Sequence, residues 1–286
     1  LIVRKSDGGY GYDATDLAAL RYRVRELKAD RLLYVTDLRQ GSHFRMVFDA
    51  ARRVGWLDGG VEAAHVPYGT VLGRDGRPFR SRETGTVRLM SLLDDAVARA
   101  RAVVAEKDPE LDPEELDRIA ELAGIGAVKY ADLSNSRIKD YVFDIDRMVS
   151  FTGNTGVYLQ YAHTRIRAIL RRAGDHSSTG DAAAMRDATA TPVDATVPLQ
   201  PAERELALRL DAYGSVLTEV GETLEPHRLC GFLYELARDF TTFYETCNVL
   251  KADEPVRGNR LALCRLTART LAHGLSLLGI VAPERM

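Results

Sequence analysis

Apolar positions along this chain follow one rhythm in the first half and another in the second. Three short apolar runs, Leu1 to about Arg4, Leu32–Val35 and Val61–Val66, have the length and compactness of buried strands. Between them, apolar side chains recur at helical intervals, first at Leu17, Leu20, Val24 and Leu27, then at Phe44, Val47, Phe48 and Ala51. A glycine loop at Gly8-Gly9 opens the first helix, predicted to end near Lys28. Gly41 opens the second, and Gly55 with Gly59-Gly60 close it. Strand, helix, strand, helix, strand with short links predicts a parallel sheet with helices packed against it.

Beyond the third strand, Asp75-Gly76 marks a tight turn. Leu92, Leu93, Ala96, Val97, Ala100 and Val103 predict a helix from Leu89 to about Val104. Asp112-Pro113-Glu114-Glu115 is a good helix start, and that helix is expected to stop near Leu122, before G-I-G-A-V-K-Y-A-D-L opens another. From about Asn154 the pattern is helical throughout. An Ala-, Asp-, Thr- and Ser-rich connector is expected between Gly174 and Pro201, then helices near 202–222, 226–250 and 257–279 that pack as a bundle. The division expected from this is an α/β part over residues 1–150 and an all-α part over 151–286.

Composition adds bounds. The chain has 286 residues, 45% hydrophobic and 28% charged, with a net charge near -2, as in globular proteins with real cores. No overall basic character announces a nucleic acid, although a local patch suffices for phosphate contacts. No run reaches the length of a membrane span, and there is no signal-peptide pattern. Cys230, Cys247 and Cys264, spaced by 17 residues, form no chelating pair, and their odd number argues against a disulfide framework. Buried thiols in a reducing cytoplasm are expected, with no metal site. The chain lacks a starting methionine and opens on Leu1-Ile2-Val3, which reads as a fragment or a chain from which something upstream has been removed.

In a parallel sheet, ligands sit beyond the carboxyl ends of the strands. The loops there carry Tyr12 and Asp16, then Asp37, Gln40 and His43, then His65 and Gly69. Three polar strand ends on one rim predict a small-molecule site. Asp16 would suit a guanidinium, which asks for a carboxylate that accepts a forked pair of hydrogen bonds. Helix capping by Asp13, Thr15 or Asp16 is the competing explanation, as structural burial is for His43 and His65. No G-x-G-x-x-G or P-loop pattern occurs. Arg74, Arg77, Arg80, Arg82 and Arg88 cluster in a glycine-rich stretch suited to clamping phosphates, or to lying solvated at the surface. In the bundle, F-L-Y-E-L-A-R-D-F-T-T-F-Y from Phe232 to Tyr244 alternates aromatics and arginine. Such groups can stack on RNA bases or simply fill a core.

These residues also carry a resemblance. D-G-G-Y-G-Y-D-A-T-D-L-A-A-L, R-Q-G-S-H-F, H-V-P-Y-G-T-V-L-G, the R-S-R loop, G-A-V-K-Y-A-D-L, G-N-T-G-V-Y-L-Q-Y-A-H-T-R and the final L-L-G-I-V-A-P-E-R-M occur in order. Together they resemble class I arginyl-tRNA synthetases over nearly the whole chain, weakening only between about Gly174 and Pro201. The resemblance implies part of a Rossmann-type parallel sheet followed by an all-α anticodon-binding (DALR) bundle. It implies arginine binding by Tyr12, Asp16 and Gln40, and ATP binding by His43, His65, Gly69, Arg80 and Arg82. Arg80, Ser81 and Arg82 stand in the place of the K-M-S-K-S signature, whose second lysine is absent. Tyr158, Gln160, His163, Tyr244, Asn248 and Met286 are implied at the tRNA.

By the same resemblance the partners are tRNA-Arg, L-arginine and ATP with Mg2+ as its counter-ion. No prosthetic group or membrane is implied, and the complete protein is expected to be a monomer. No H-I-G-H signature occurs, so the chain resembles the C-terminal half of such an enzyme, expected to be inactive alone. A non-catalytic tRNA-binding paralogue is the alternative, since it needs no adenine-binding half. Half a sheet leaves an unpaired edge, so residues 1 to about 70 are expected to be poorly stable in isolation.

Overall fold

The computed structural model describes residues 1–78, 88–174 and 193–286. Arg80, Ser81 and Arg82, and most of the connector expected between Gly174 and Pro201, lie outside the described residues. The chain forms two compact units, Leu1–Leu72 with Arg137–Tyr141, and Gly73–Ser136 with Val142–Met286. In this division the helices between 89 and 133 belong with the bundle.

In the first unit, α1 (Tyr12–Arg25) leads to β1 (Arg31–Asp37), α2 (Gly41–Arg53), β2 (Glu62–Tyr68) and the short β3 (Val71–Leu72). Strands β1 and β2 pair in parallel, in register from Arg31 with Glu62 to Asp37 with Tyr68. Helix α1 stops at Arg25, three residues before the expected end, and Lys28 takes a positive φ of 53° in the turn that follows. The helical stripes read in the sequence make the core: Leu17 and Leu20 from α1 meet Phe44, Val47, Phe48 and Ala51 from α2 over Leu32 of β1. Each Leu, Val or Phe among them, fully buried, contributes about 1.5–3 kcal/mol. The other face of β1 presents Leu33 and Val35 to solvent, as the period of two requires.

The strand expected at Leu1–Arg4 does not form. No strand lies beside it among the described residues to take its backbone groups, and the Ile2 amide donates instead to the Asp13 carboxylate at 2.6 Å. After β3 the chain makes the expected turn, with Gly76 at a φ of 71° and its amide donating to Gly73. Tyr141, opening β4 (Tyr141–Val142), donates to the Thr70 carbonyl.

The second unit holds α3 (Leu89–Lys107), α4 (Pro113–Leu133), α5 (Ile145–Met148), α6 (Gly156–Arg172), α7 (Pro201–Asp211), α8 (Tyr213–Thr223), α9 (Pro226–Thr246) and α10 (Val256–Leu277). Asp112 caps α4 by accepting from the amides of Glu114 and Glu115. The helix then runs through Gly124 and Gly126 instead of ending at Leu122. These glycines serve close packing: a Cβ at Gly124 would lie 2.6 Å from Val97 Cα on α3. The helix expected over 202–222 is two, divided at Ala212. Beyond the division, Tyr213 stacks on Phe232 and meets the His273 ring nitrogen at 2.8 Å. Leu159, Ile166, Leu206, Leu233, Leu236, Phe243, Cys264 and Leu271 are fully buried at the centre of the bundle. All three cysteines are free and buried. Among the described residues no helix is long and apolar enough to cross a membrane.

Candidate functional site

Helix α1 begins at Tyr12 without a side-chain cap. Thr15 donates its hydroxyl back to the Tyr12 carbonyl, and Asp13 accepts from Ile2, so capping does not account for this cluster. Asp16 sits in the second turn, where its Oδ2 lies 2.6 Å from His43 Nε2 on α2. The other ring nitrogen of His43 lies 3.3 Å from Asp13 Oδ1. One imidazole is thus bracketed by two carboxylates three residues apart on the same helix face. Tyr12 stands 86% exposed at the rim of a pocket of about 570 Å³ that Tyr10, Gly11, Asp13, Thr15 and His43 also line. What the arrangement offers chemically is two carboxylates held by one imidazole, with Asp13 and His43 bordering the open space together with Lys5.

The ends of β1 and β2 supply the rest. Asp37 is consumed locally: its two oxygens take a forked pair from Arg39 Nε and Nη2, each at 2.8 Å. That arginine holds the Asp37 carboxyl down at about 2. Gln40 is exposed at the end of the single 3₁₀ turn that leads into α2. His65 meets Thr36 Oγ1 at 2.9 Å and stacks on Phe44, with ring centroids 5.3 Å apart. It lines a second pocket of about 680 Å³ together with Arg39, Gly41, Ser42 and Arg45. At Gly69 a Cβ would lie 2.7 Å from the Lys139 backbone, so the fold itself requires glycine there. Of the arginine cluster, Arg74 is paired with Asp144 and Asp146, both at 2.8 Å.

In the helical unit the expected RNA-facing residues separate into two groups. Tyr158 on α6 packs edge-on against Tyr234 of α9, and Arg238 lies over the Tyr234 ring. Tyr244 stacks on Phe240 and is covered by Arg165, whose guanidinium carbon is 5.7 Å from the ring centroid. Asn248 is exposed just beyond α9. These groups present aromatic and cationic surface.

Gln160 and His163 do not. Both are fully buried, and both bind the C-terminal segment: Gln160 Nε2 donates to Val281 O at 2.8 Å and His163 Nδ1 to Pro283 O at 2.9 Å. Arg167 pairs with Glu284 at 2.7 Å, and Lys129 donates to Gly279 O. Met286 is half-buried against Val104, Leu116 and Ile119. Burial dominates at His163 and lowers its pKa.

A family model described as tRNA synthetases class I (R), catalytic domain, matches residues 1–145. The chain belongs to this family. A second model, the DALR anticodon binding domain, matches residues 159–286. Arginine–tRNA ligase of Frankia casuarinae is 66% identical over all 286 residues, which cover 46% of that protein. The corresponding ligase of Thermobifida fusca is 54% identical and is covered to 48%. The solved Thermus thermophilus arginyl-tRNA synthetase matches with a TM-score of 0.85 at 30% identity, covering 100% of this chain and 51% of that one. The Plasmodium falciparum enzyme matches at 0.81 and 30%, covering 99% and 46%. The chain therefore spans about half the length of the curated relatives it matches.

Within this class I (R) chain, reasoning from sequence missed Asp13 as a partner of His43, and Arg165, Tyr234 and Arg238 as neighbours of the two tyrosines. The first had a signal, since Asp13 and Asp16 are spaced to share a helix face. The others depend on how α6 meets α9, which local spacing does not encode.

Proposed function

We propose that this chain supplies the arginine-recognising part and the anticodon-binding module of an arginine–tRNA ligase. The carrying observation is the Asp16 carboxylate, 32% exposed and held by His43, whose ring lines an open pocket with Tyr12, in a chain of the class I (R) family. L-Arginine enters with its guanidinium towards Asp16, steadied by Tyr12 and Gln40. An anionic carboxylate is the group that selects a guanidinium over a neutral side chain.

The arginine carboxylate then attacks the α-phosphorus of ATP, forming arginyl-adenylate and releasing pyrophosphate. The terminal ribose hydroxyl of tRNA-Arg attacks the adenylate carbonyl and expels AMP. The protein orients these groups and stabilises developing charge, without a covalent enzyme intermediate. Mg2+ accompanies ATP as part of the substrate. His43, His65 and the Gly69 backbone lie on the strand-end rim where ATP is expected, and Arg80 and Arg82, with Ser81, belong to the phosphate-steadying loop. Tyr158, Tyr244 and Asn248 offer stacking and hydrogen bonding to unstacked anticodon bases. Met286 acts from the docked C-terminal segment, and Gln160 and His163 act by holding that segment. The ligase works in the cytoplasm as a monomer.

The test is to put this chain in place of the matching half of the 66%-identical relative and to measure charging of tRNA-Arg. Arginine-dependent charging is expected. A chimera that binds tRNA-Arg but never charges it, although folded, would favour a non-catalytic binding module.

A further inference from the structure

The bracketing of His43 goes beyond holding one carboxylate. The geometry points to a chain of three side chains in which Asp13 orients His43 and His43 orients Asp16 for the guanidinium. This rests on the arginine reading above.

A carboxylate only accepts, so the bond of 2.6 Å to Asp16 Oδ2 requires the proton on His43 Nε2. The Asp16 side chain remains 32% exposed, so a ligand can reach it. A histidine ring can turn over, exchanging its nitrogens and carbons, unless something fixes the other edge. Asp13 lies on that edge, with Oδ1 3.3 Å from Nδ1, an ion-pair contact made by the doubly protonated ring, in which both nitrogens carry a proton. Asp13 is itself fixed, because its Oδ2 accepts the Ile2 amide at 2.6 Å. Each link thus rests on the next, from the backbone at Ile2 to the carboxylate that meets the substrate.

Asp13 also stands in the first turn of α1, where any acidic side chain favours the helix dipole. That role is fulfilled wherever the side chain points. This one points at the histidine. Asp13 and His43 also line the pocket beside Tyr12, so their positions are felt where the ligand sits. They are positioning residues, and Asp16 is the group that touches arginine.

The experiment uses the chimeric ligase carrying this chain, titrated with L-arginine and followed by calorimetry and by the amide signals of residues 12–16. The His43 ring nitrogen signals report its orientation directly. Asp13→Asn is expected to weaken arginine binding about tenfold, mid-range for coupling within one hydrogen-bond network, and to shift the His43 ring signals. His43→Leu is expected to weaken it at least as much, and His43→Gln, which keeps an N–H donor, to recover part. Asp13→Asn is expected to add nothing in the His43→Leu background. Thermal melts of each variant separate these effects from loss of fold.

If Asp16→Asn abolishes binding while Asp13→Asn leaves affinity and ring signals unchanged, the proposed chain is wrong. Independent, multiplying effects of Asp13→Asn and His43→Leu would equally overturn it. If the unaltered, folded chimera does not bind L-arginine, or its binding ignores Asp16→Asn, the arginine reading itself fails.

Discussion

Glu203 and Arg260 form an ion pair inside the bundle, with Nε and Oε1 2.6 Å apart and side chains only 5% and 7% exposed. Replacing Arg260 by Met leaves the Glu203 carboxylate buried opposite an apolar side chain. Removing one partner of such a pair costs about 3–5 kcal/mol, most of it the penalty of the stranded charge. At roughly 2–4 °C per kcal/mol for a unit of this size, the melting midpoint falls by at least about 6 °C. Glu203 also closes a capping box on α7, accepting the Gln200 amide at 2.6 Å. The double variant Glu203→Leu/Arg260→Met removes the stranded charge and should regain all but about 1 kcal/mol, the worth of the lost cap. Arg260 further donates to the Asn248 carbonyl at 2.9 Å, so the single variant should weaken tRNA binding as well. Urea denaturation followed by helical circular dichroism reads the stabilities. A cost below about 1 kcal/mol for Arg260→Met, or a double variant as unstable as the single, would refute the reasoning.

His163 gives a pH prediction. Burial holds its pKa below the ordinary 6.5, so as pH falls the unfolded chain takes up that proton first. The stability His163 contributes is complete above its unfolded value and is lost as pH falls from there through the folded value. Between about pH 7 and 5 the unaltered chain should therefore lose more stability than His163→Gln, measured by urea midpoints across that range. Gly124→Ala should destabilise by about 1–3 kcal/mol despite alanine's better helix propensity, because the new Cβ would lie 2.6 Å from Val97 Cα; thermal melting checks it. Burial pushes the Cys230 and Cys264 thiols up to about 12, so both should resist a disulfide reagent in the folded chain and react once urea unfolds it.

How far sequence reached depends on whether a feature is local. The stripes Leu17-Leu20 and Phe44-Val47-Phe48 declared their helices because burial on one face writes the period into the chain. Asp112-Pro113 declared the start of α4 because capping chemistry is confined to a few residues. Gly124 misled, since a glycine that ends a helix and one that admits a neighbouring helix look alike until the neighbour is seen. Leu1–Arg4 misled because strand formation depends on a partner, and apolar character alone does not supply one. At the candidate site, Asp16 stood out in the sequence because its charge suits a guanidinium. Its contact with His43 did not stand out, because 27 residues separate them in sequence. That Gln160 and His163 turn inward on α6 was not legible, because the docked C-terminal segment decides which face is covered.

The most direct measurement is arginine-dependent ATP–pyrophosphate exchange by the chimeric ligase carrying this chain, with and without Asp16→Ala. The account predicts exchange that depends on arginine, and a KM for arginine raised at least about a hundredfold by the substitution, as a charged contact to the guanidinium is lost. An unchanged KM in a folded, active variant would contradict it.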